Sequence, residues 1–198
     1  MYGVIITDPD GGLTPFINRT FPDLTDEDIY NPHWVKAGTG EISSLDFFRN
    51  IGYEGDLNDL SKIEKEYLDT LEIDEFFYEA APVIKKSYRL ALLSNDVSEW
   101  SEYLREKFKI NHFFDVTVIS GDVKIKKPDA EIFRHILAKL DQPASECVFV
   151  DDRRKNLLSA KSLGMETILF NSRNVEYDGK TVNNFYELIN LLKELKGI

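Results

Sequence analysis

The second half of this chain alternates short apolar runs with amphipathic segments of helical length. Runs rich in Val, Ile, Leu and Phe stand at 90–93, 116–119, 147–150 and 167–170. Helical patterns stand at 97–108, 128–140, 156–163 and 183–195. Parallel strands need a crossover segment of this size between them, usually a helix. The alternation therefore predicts an α/β fold built on a parallel sheet.

Residues 3–7 are a further strand candidate, because the Val and Ile run without interruption up to Asp8-Pro9-Asp10. Continuous runs of this kind are typical of strands buried on both faces. The two carboxylates then fall just outside the carboxyl end of the strand, where open α/β sheets bind ligands. Taken alone, the same residues also fit a tight turn, since Asp, Pro and Gly are the usual turn formers.

Residues 14–82 differ from the rest of the chain, because they are acidic and helical in pattern. Thr25 and Asp28 have the spacing of a capping box, and Ser44 is expected to cap a helix closed by Gly52. No strand signal of comparable strength occurs there. We expect a core of residues 1–13 and 83–198, with residues 14–82 forming a small all-helical insertion.

Charge and composition narrow the range of partners. The chain carries 24 Lys and Arg against 35 Asp and Glu, a net charge of −11. This balance argues against nucleic acid or an anionic membrane as a partner, and it suits a site that holds a divalent cation. The single Cys147 excludes an internal disulfide. With no transmembrane run and no leader pattern, we expect a cytoplasmic protein. The sequence does not determine the oligomeric state.

Polar side chains follow three of the predicted strands and one loop. They are Asp8 and Asp10, Ser94 and Asn95, Asp151 and Asp152, and Lys127 in the loop before Pro128. Because the carboxyl ends of parallel strands share one edge of a sheet, these groups are expected to converge. Clustered carboxylates suit Mg²⁺ better than zinc, and a lysine and a hydroxyl beside them would cradle a phosphoryl group.

The paired acids suggest a mechanism. One of Asp8 and Asp10 would attack phosphorus, and the other would move the proton to the leaving group and from water. Simpler interpretations remain open. Ser94 and Asn95 would also serve as a helix cap, and Lys124 or Lys126 would also supply the ammonium group.

In order and spacing, the four motifs resemble those of the haloacid dehalogenase superfamily of hydrolases. The matching residues are Asp8-Pro9-Asp10-Gly11-x-Leu13, Ser94-Asn95, Lys127-Pro128-Asp129, and Asp151-Asp152 with Asn156. The resemblance implies a Rossmann-like three-layer core with a mobile helical cap inserted after the first strand. It also implies a Mg²⁺-dependent phosphatase that acts on a small phosphomonoester of the sugar phosphate or nucleotide class.

The resemblance further implies a role for each matching residue. Asp8 would be the nucleophile that forms an aspartyl-phosphate, and Asp10 the general acid and base. Ser94 and the amide of Asn95 would bind phosphate oxygens, and Lys127 would neutralise charge. The metal ligands would be Asp8, the Asp10 carbonyl and Asp152, with Asp151 either a further ligand or a residue supporting the ligands.

Two residues depart from the family pattern. Gly12 stands where the family has Thr or Val, and Pro9 removes a backbone N–H next to the proposed nucleophile. These departures keep open a catalytically weak binding module of the same fold. A sugar phosphomutase, which would return phosphate to a bound sugar, is a separate alternative within the enzymes. A receiver-type signalling domain also uses acids, a hydroxyl and a lysine around Mg²⁺, but such domains lack a long helical insertion.

Overall fold

The computed structural model describes residues 1–197 as a mixed α/β protein. Its strands are β1 (Ile6–Thr7), β2 (Glu72–Ile73), β3 (Ala91–Ser94), β4 (Val116–Ile119), β5 (Val148–Asp151), β6 (Glu166–Phe170) and β7 (Lys180–Val182). Its helices are α1 (Leu13–Ile17), α2 (Asp26–Ile29), α3 (Val35–Gly38), α4 (Ser44–Asn50), α5 (Leu57–Thr70), α6 (Phe76–Ile84), α7 (Ser98–Lys107), α8 (Ser120–Val123), α9 (Ala130–Leu140), α10 (Arg154–Ser162) and α11 (Phe185–Lys196). None of these described helices is long and apolar enough to cross a membrane.

The predicted parallel pairing is confirmed, but it is divided between two sheets. Strand β3 pairs in parallel with β4, from Ala91 opposite Val116 to Ser94 opposite Ile119. Strands β5, β6 and β7 form a second parallel sheet in that order. Within residues 1–197, β3 and β5 each have one edge unpaired, so two sheets stand where one was expected.

The strand expected over residues 3–7 is shorter than predicted and lies elsewhere. Only β1 is extended, and it pairs antiparallel with β2, with Ile6 opposite Ile73 and Thr7 opposite Glu72. Strand β2 is also unexpected, because it interrupts the segment that was predicted to be entirely helical. This two-strand pairing directs the chain after Thr7 toward the helical segment instead of into either parallel sheet.

A tight turn at the start of the chain explains the missing strand. The amide nitrogens of residues 4–6 lie 2.9–3.3 Å from the carbonyl oxygen of Met1, and the Gly3 nitrogen lies 2.9 Å from the carbonyl oxygen of Ile6. Gly3 adopts a φ of 76°, which a residue without a Cβ reaches at little cost. We call residues 1–6 the N-terminal turn.

Apart from β2, the segment 14–82 contains the helices α1 to α6 joined by loops, and α6 continues past residue 82 to Ile84. The capping box at Thr25 is confirmed, since its hydroxyl accepts from the Asp28 amide and the Asp28 carboxylate accepts from the Thr25 amide. The cap of α4 is one residue earlier than expected. The hydroxyl of Ser43, not Ser44, accepts from the Asp46 amide at 3.1 Å.

The helical segment packs on the rest of the protein through aromatic side chains. Trp100 on α7 is 1% exposed, and its ring lies 5.9, 6.0 and 5.4 Å from those of Phe47, Phe48 and Tyr67. Its indole N–H also donates to Glu64 at 2.7 Å. Burial of large aromatic surfaces is the main source of stability at such a contact.

A lysine on α7 completes this junction by capping α5. The Lys107 ammonium donates to the carbonyl oxygens of Leu68, Asp69 and Leu71 at 3.0, 3.1 and 3.0 Å. The last carbonyls of a helix have no partner within the helix, so a cation there satisfies them and also offsets the negative end of the helix dipole.

Replacement of Lys107 by Met should therefore destabilise the protein while preserving its apolar stem. We expect Lys107→Met to lower the free energy of unfolding by about 1 to 3 kcal/mol, because several carbonyls lose a charged donor. Denaturant unfolding measures the change. Lys62 lies on α5, the helix that Lys107 caps, and its pair with Asp59 is exposed. Lys62→Met should therefore change the free energy of unfolding by less than about 0.5 kcal/mol. Equal effects of the two substitutions would contradict the capping role.

Candidate active site

A buried ion pair joins the carboxyl ends of the two parallel sheets. The Lys127 ammonium donates to Asp151 at the end of β5 at 2.7 Å, and to the carbonyl oxygen of Leu93 in β3 at 2.8 Å. The Asn95 side chain fixes the lysine by accepting from its amide at 2.7 Å and donating to its carbonyl at 2.8 Å. The predicted neighbours Asn95, Lys127 and Asp151 thus form one network.

Asp151 is held as a carboxylate by its surroundings. Besides Lys127 it accepts from the backbone N–H of Arg153 and the side-chain amide of Asn156, both at 2.9 Å. Burial alone would raise the pKa of Asp151, but the Lys127 ammonium and these hydrogen bonds outweigh it and leave the pKa below its ordinary value. Asp151 therefore stays ionised at neutral pH.

The N-terminal turn occupies the space beside this network. The Met1 nitrogen donates to the buried Ser94 hydroxyl at 3.2 Å, and the Ser172 hydroxyl donates to the Gly3 carbonyl at 2.7 Å. Gly3 also lies against Asp152, so that a Cβ at this position would stand 2.4 Å from a carboxylate oxygen. Asp152 forms an ion pair with Arg173. Residues 1–3 thus contact groups at the ends of both sheets.

Asp8 and Asp10 lie outside this network. The Tyr67 hydroxyl donates to Asp8 at 3.5 Å, and Arg19 pairs with Asp10 at 2.5 Å. No hydrogen bond or ion pair among residues 1–197 links either acid to Lys127. The expected convergence is therefore incomplete, because the β1–β2 pairing carries these two acids toward α5.

The same arrangement leaves the expected metal site unassembled. Hard oxygen donors of the right kind for Mg²⁺ are present in Asp8, Asp10, Asp151 and Asp152. In the part of the chain that the structure describes, however, no three acidic, His or Cys side chains come close enough together to hold a metal ion. Asp151 and Asp152 are instead neutralised by Lys127 and Arg173.

Asp96 is a buried acid that the sequence analysis did not single out. It is fully buried, and one carboxylate oxygen accepts from the Val97 amide at 2.9 Å while the other has no partner among the described residues. Burial raises the pKa of Asp96 to about 7, which the Met1 nitrogen and the Val97 amide only partly oppose. Its position directly after Ser94 and Asn95 was the available signal.

The raised pKa of Asp96 makes the stability of the protein depend on pH. Between pH 3.8 and about pH 7 the folded state keeps the Asp96 proton that the unfolded state has lost, so stability falls as pH rises through this window. Asp96→Asn keeps an acceptor for Val97 and removes the charge. It should raise the melting temperature increasingly across the window, and above the window it should raise the free energy of unfolding by an amount on the order of a few kcal/mol.

The exposed Asp178→Asn substitution is the matched control, since Asp178 has no buried charge to relieve. It should leave the pH dependence of the melting temperature as in the wild type. An Asp96→Asn curve parallel to the wild-type curve over the whole range would contradict a buried, protonated Asp96.

Comparison with known proteins places this geometry in context. The family model for haloacid dehalogenase-like hydrolases matches residues 3–164. A glyceraldehyde 3-phosphate phosphatase from Pyrococcus abyssi is 29% identical over 71% of this chain and 51% of its own length. A drimenol cyclase from Aspergillus calidoustus is 27% identical over 81% of this chain and 31% of its own. The chain spans only about a third to a half of these curated relatives.

Solved structures agree on the fold. A HAD-family enzyme from Bacteroides thetaiotaomicron superposes with a TM-score of 0.74 at 21% identity, covering 85% of this chain and 89% of that one. A HAD phosphatase from Thermococcus onnurineus gives a TM-score of 0.68 at 20% identity, covering 96% and 94%. The expected Rossmann-like α/β architecture is therefore confirmed, despite the division into two sheets.

Proposed function

The chain belongs to the haloacid dehalogenase-like hydrolase family, and we propose that this hydrolase cleaves a small phosphate monoester through a phosphorylated Asp8. The observation that carries the proposal is the buried pair of Lys127 and Asp151, which stands beside Ser94 at one edge of both sheets. The relatives named as glyceraldehyde 3-phosphate phosphatases support a phosphate ester as substrate.

Lys127 and Ser94 are the groups that would hold the phosphoryl oxygens. An ammonium has three N–H donors, and two of those on Lys127 are used by Leu93 and Asp151. The third is available to a phosphate oxygen. Fixed donors in a buried setting stabilise the extra charge of a phosphoryl transition state without having to reorganise.

Asp8 must reach this network for catalysis. We propose that residues 3–7 leave the N-terminal turn and enter as a strand between β3 and β5, each of which has one unpaired edge within residues 1–197. Their unbroken apolar character suits a central strand of a parallel sheet. Entry would place Asp8 at the carboxyl ends of the strands, next to Lys127, and would release Ser94 and Asp152 from the turn.

The two acids then divide the chemistry. Asp8 attacks phosphorus and the ester P–O bond breaks, while Asp10 donates its proton to the departing alcohol oxygen. A water molecule next attacks the phosphorus of the aspartyl-phosphate and gives its proton to Asp10. Inorganic phosphate leaves, and the Asp8 carboxylate and the protonated Asp10 are restored.

We also propose that Mg²⁺ is required. After strand entry, Asp8, the Asp10 carbonyl and Asp152 would hold it, with Asp151 close by, and the ion would offset the charge of the phosphate and the nucleophile. The Bacteroides HAD-family enzyme that shares the fold was crystallised with magnesium and inorganic phosphate, which supports this assignment.

A second candidate function is a phosphate-binding module without turnover. It is favoured by one observation, the position of Asp8 against Tyr67 instead of Lys127. Such a module would be stabilised by Mg²⁺ and phosphate through ligand linkage and would release no phosphate from any ester.

Asp8→Asn decides between these two functions. With an aryl phosphate and Mg²⁺, the wild type should release phosphate, and Asp8→Asn should lose at least about a thousandfold in rate because the nucleophile is gone. Chelation of Mg²⁺ should abolish the wild-type rate. The test is a phosphate-release assay with and without Mg²⁺.

Asp23→Asn serves as control, since Asp23 is exposed in the helical segment and forms no bond with Asp8 or the Lys127 network among residues 1–197. It should retain the full rate. Equal rates for the wild type and Asp8→Asn would overturn the nucleophile assignment. Phosphate binding by the wild type without any turnover would establish the binding module.

A further inference from the structure

The edge that carries the Lys127 network is locally cationic in a strongly acidic protein. Three cations surround the network, Lys126, Arg153 and Lys155, and we call them the cationic rim. Lys126 precedes Lys127, and Arg153 gives its backbone N–H to Asp151 at 2.9 Å, so both stand next to the buried pair. The net charge of the chain is −11, which makes such a cluster a local exception.

No cation of the rim is bonded to an acid within residues 1–197, although Glu41 lies near Lys126. None of its three side chains forms an ion pair or side-chain hydrogen bond within residues 1–197, whereas the nearby Lys127 and Arg173 are each paired with an acid. Arg153 and Lys155 are exposed and Lys126 is half-buried. The rim is therefore available to a ligand, while the deeper cation is already engaged.

The rim is also placed where the fold itself disfavours positive charge. Arg153 is the residue before α10, and Lys155 is in its first turn, which contains no acidic residue. The positive end of a helix dipole repels cations. Burial lowers the pKa of Lys126, and the nearby Lys155 ammonium lowers it further, so these two like charges also face each other. A bound anion would relieve both costs.

The helical segment faces the rim from the other side. Tyr30 lies close enough to Arg153 for the guanidinium to act on its pKa, which burial nevertheless raises overall. Glu41 of the same segment lies near Lys126. The rim therefore lies between the sheet edge and the helical segment, with Tyr30 and Glu41 as its neighbours on that segment. This is where the alcohol part of a phosphate ester bound at Lys127 would lie.

We propose that the cationic rim binds a second negative charge on the substrate, a carboxylate or a second phosphate on the alcohol part of the ester. This inference rests on the proposed phosphatase function and names its substrate class. The net charge of −11 on the whole chain argues against an extended polyanion, but a small dianionic ester meets only the local field of the rim.

The test compares matched pairs of esters that differ by one anionic group. Glycerol phosphate against phosphoglycerate tests a carboxylate, and fructose monophosphate against fructose bisphosphate tests a second phosphate. The wild type should prefer the more anionic member of at least one pair by about five- to tenfold in kcat/KM, mainly through KM. The preference should shrink at high ionic strength, because the rim is exposed.

The Arg153→Gln and Lys155→Gln double variant should bring that ratio close to one. Lys161→Gln, an exposed lysine near the other end of α10, should keep both the ratio and the basal rate. A preference found in only one pair and lost in the double variant identifies the anion. No preference in the wild type, or a preference that the double variant retains, overturns the proposal.

Binding measurements separate this proposal from the phosphatase function. Calorimetric titration of the same esters into Asp8→Asn with Mg²⁺ requires no turnover and should show the same order of affinities. If the aryl phosphate is hydrolysed but the pairs are bound and cleaved equally, only the rim assignment fails. If nothing is hydrolysed but the more anionic esters bind more tightly, only the phosphatase function fails.

Discussion

The buried pair of Lys127 and Asp151 is the interaction on which the arrangement of the site depends. It is a polar link between two sheets that share no backbone hydrogen bonds within residues 1–197, and both side chains are less than a tenth exposed. A buried ion pair must offset a large desolvation cost, and here the Leu93 carbonyl, the Asn156 amide and the Arg153 amide help to do so. Loss of one partner would leave the other charge buried and unpaired.

The apolar segment of residues 3–7 has two competing conformations, a turn and a strand. In the structure these residues form a turn whose amides converge on the Met1 carbonyl, and β1 pairs with β2. The alternative, a central strand between β3 and β5, would gain backbone hydrogen bonds along both edges. Met1 contacts Ser94 and Gly3 contacts Asp152, so the segment already lies beside the ends of β3 and β5.

The sequence was informative wherever local chemistry determines structure. The sequence predicted the strands that end at Ser94 and Asp151, the capping box at Thr25 and the parallel orientation of the paired strands. Each of these follows from periodicity, capping or crossover length within a short window. The resemblance of four ordered motifs also identified the family, which the family model confirms.

What the sequence did not determine depends on long-range contacts. A run of a few apolar residues fits a strand, a turn or an edge pairing equally well until its neighbours are known, and residues 3–7 show this ambiguity. Glu72 and Ile73 become a strand only because β1 lies beside them. The position of Tyr67 against Asp8 follows from the packing of α5 on Trp100, for which no local pattern exists.

The net charge of the chain and the charge around Lys127 have opposite signs. The net charge of the chain predicts that extended anions are repelled, yet the sheet edge around Lys127 combines buried and exposed cations. The field at a site is set by the nearest charges, because more distant exposed ones are screened by salt. An acidic surface and a cationic rim beside the site are therefore compatible in one small protein.

The proposed mechanism requires Asp8 to join the Lys127 network in the reactive state. A crystal structure with Mg²⁺ and beryllium fluoride, which mimics a phosphorylated carboxylate, tests it most directly. We expect residues 3–7 to pair with both β3 and β5, and the beryllium fluoride group on Asp8 to lie within hydrogen-bond distance of Lys127 and Ser94. An Asp8 that remains unmodified against Tyr67, with β3 and β5 still unpaired, would contradict the mechanism.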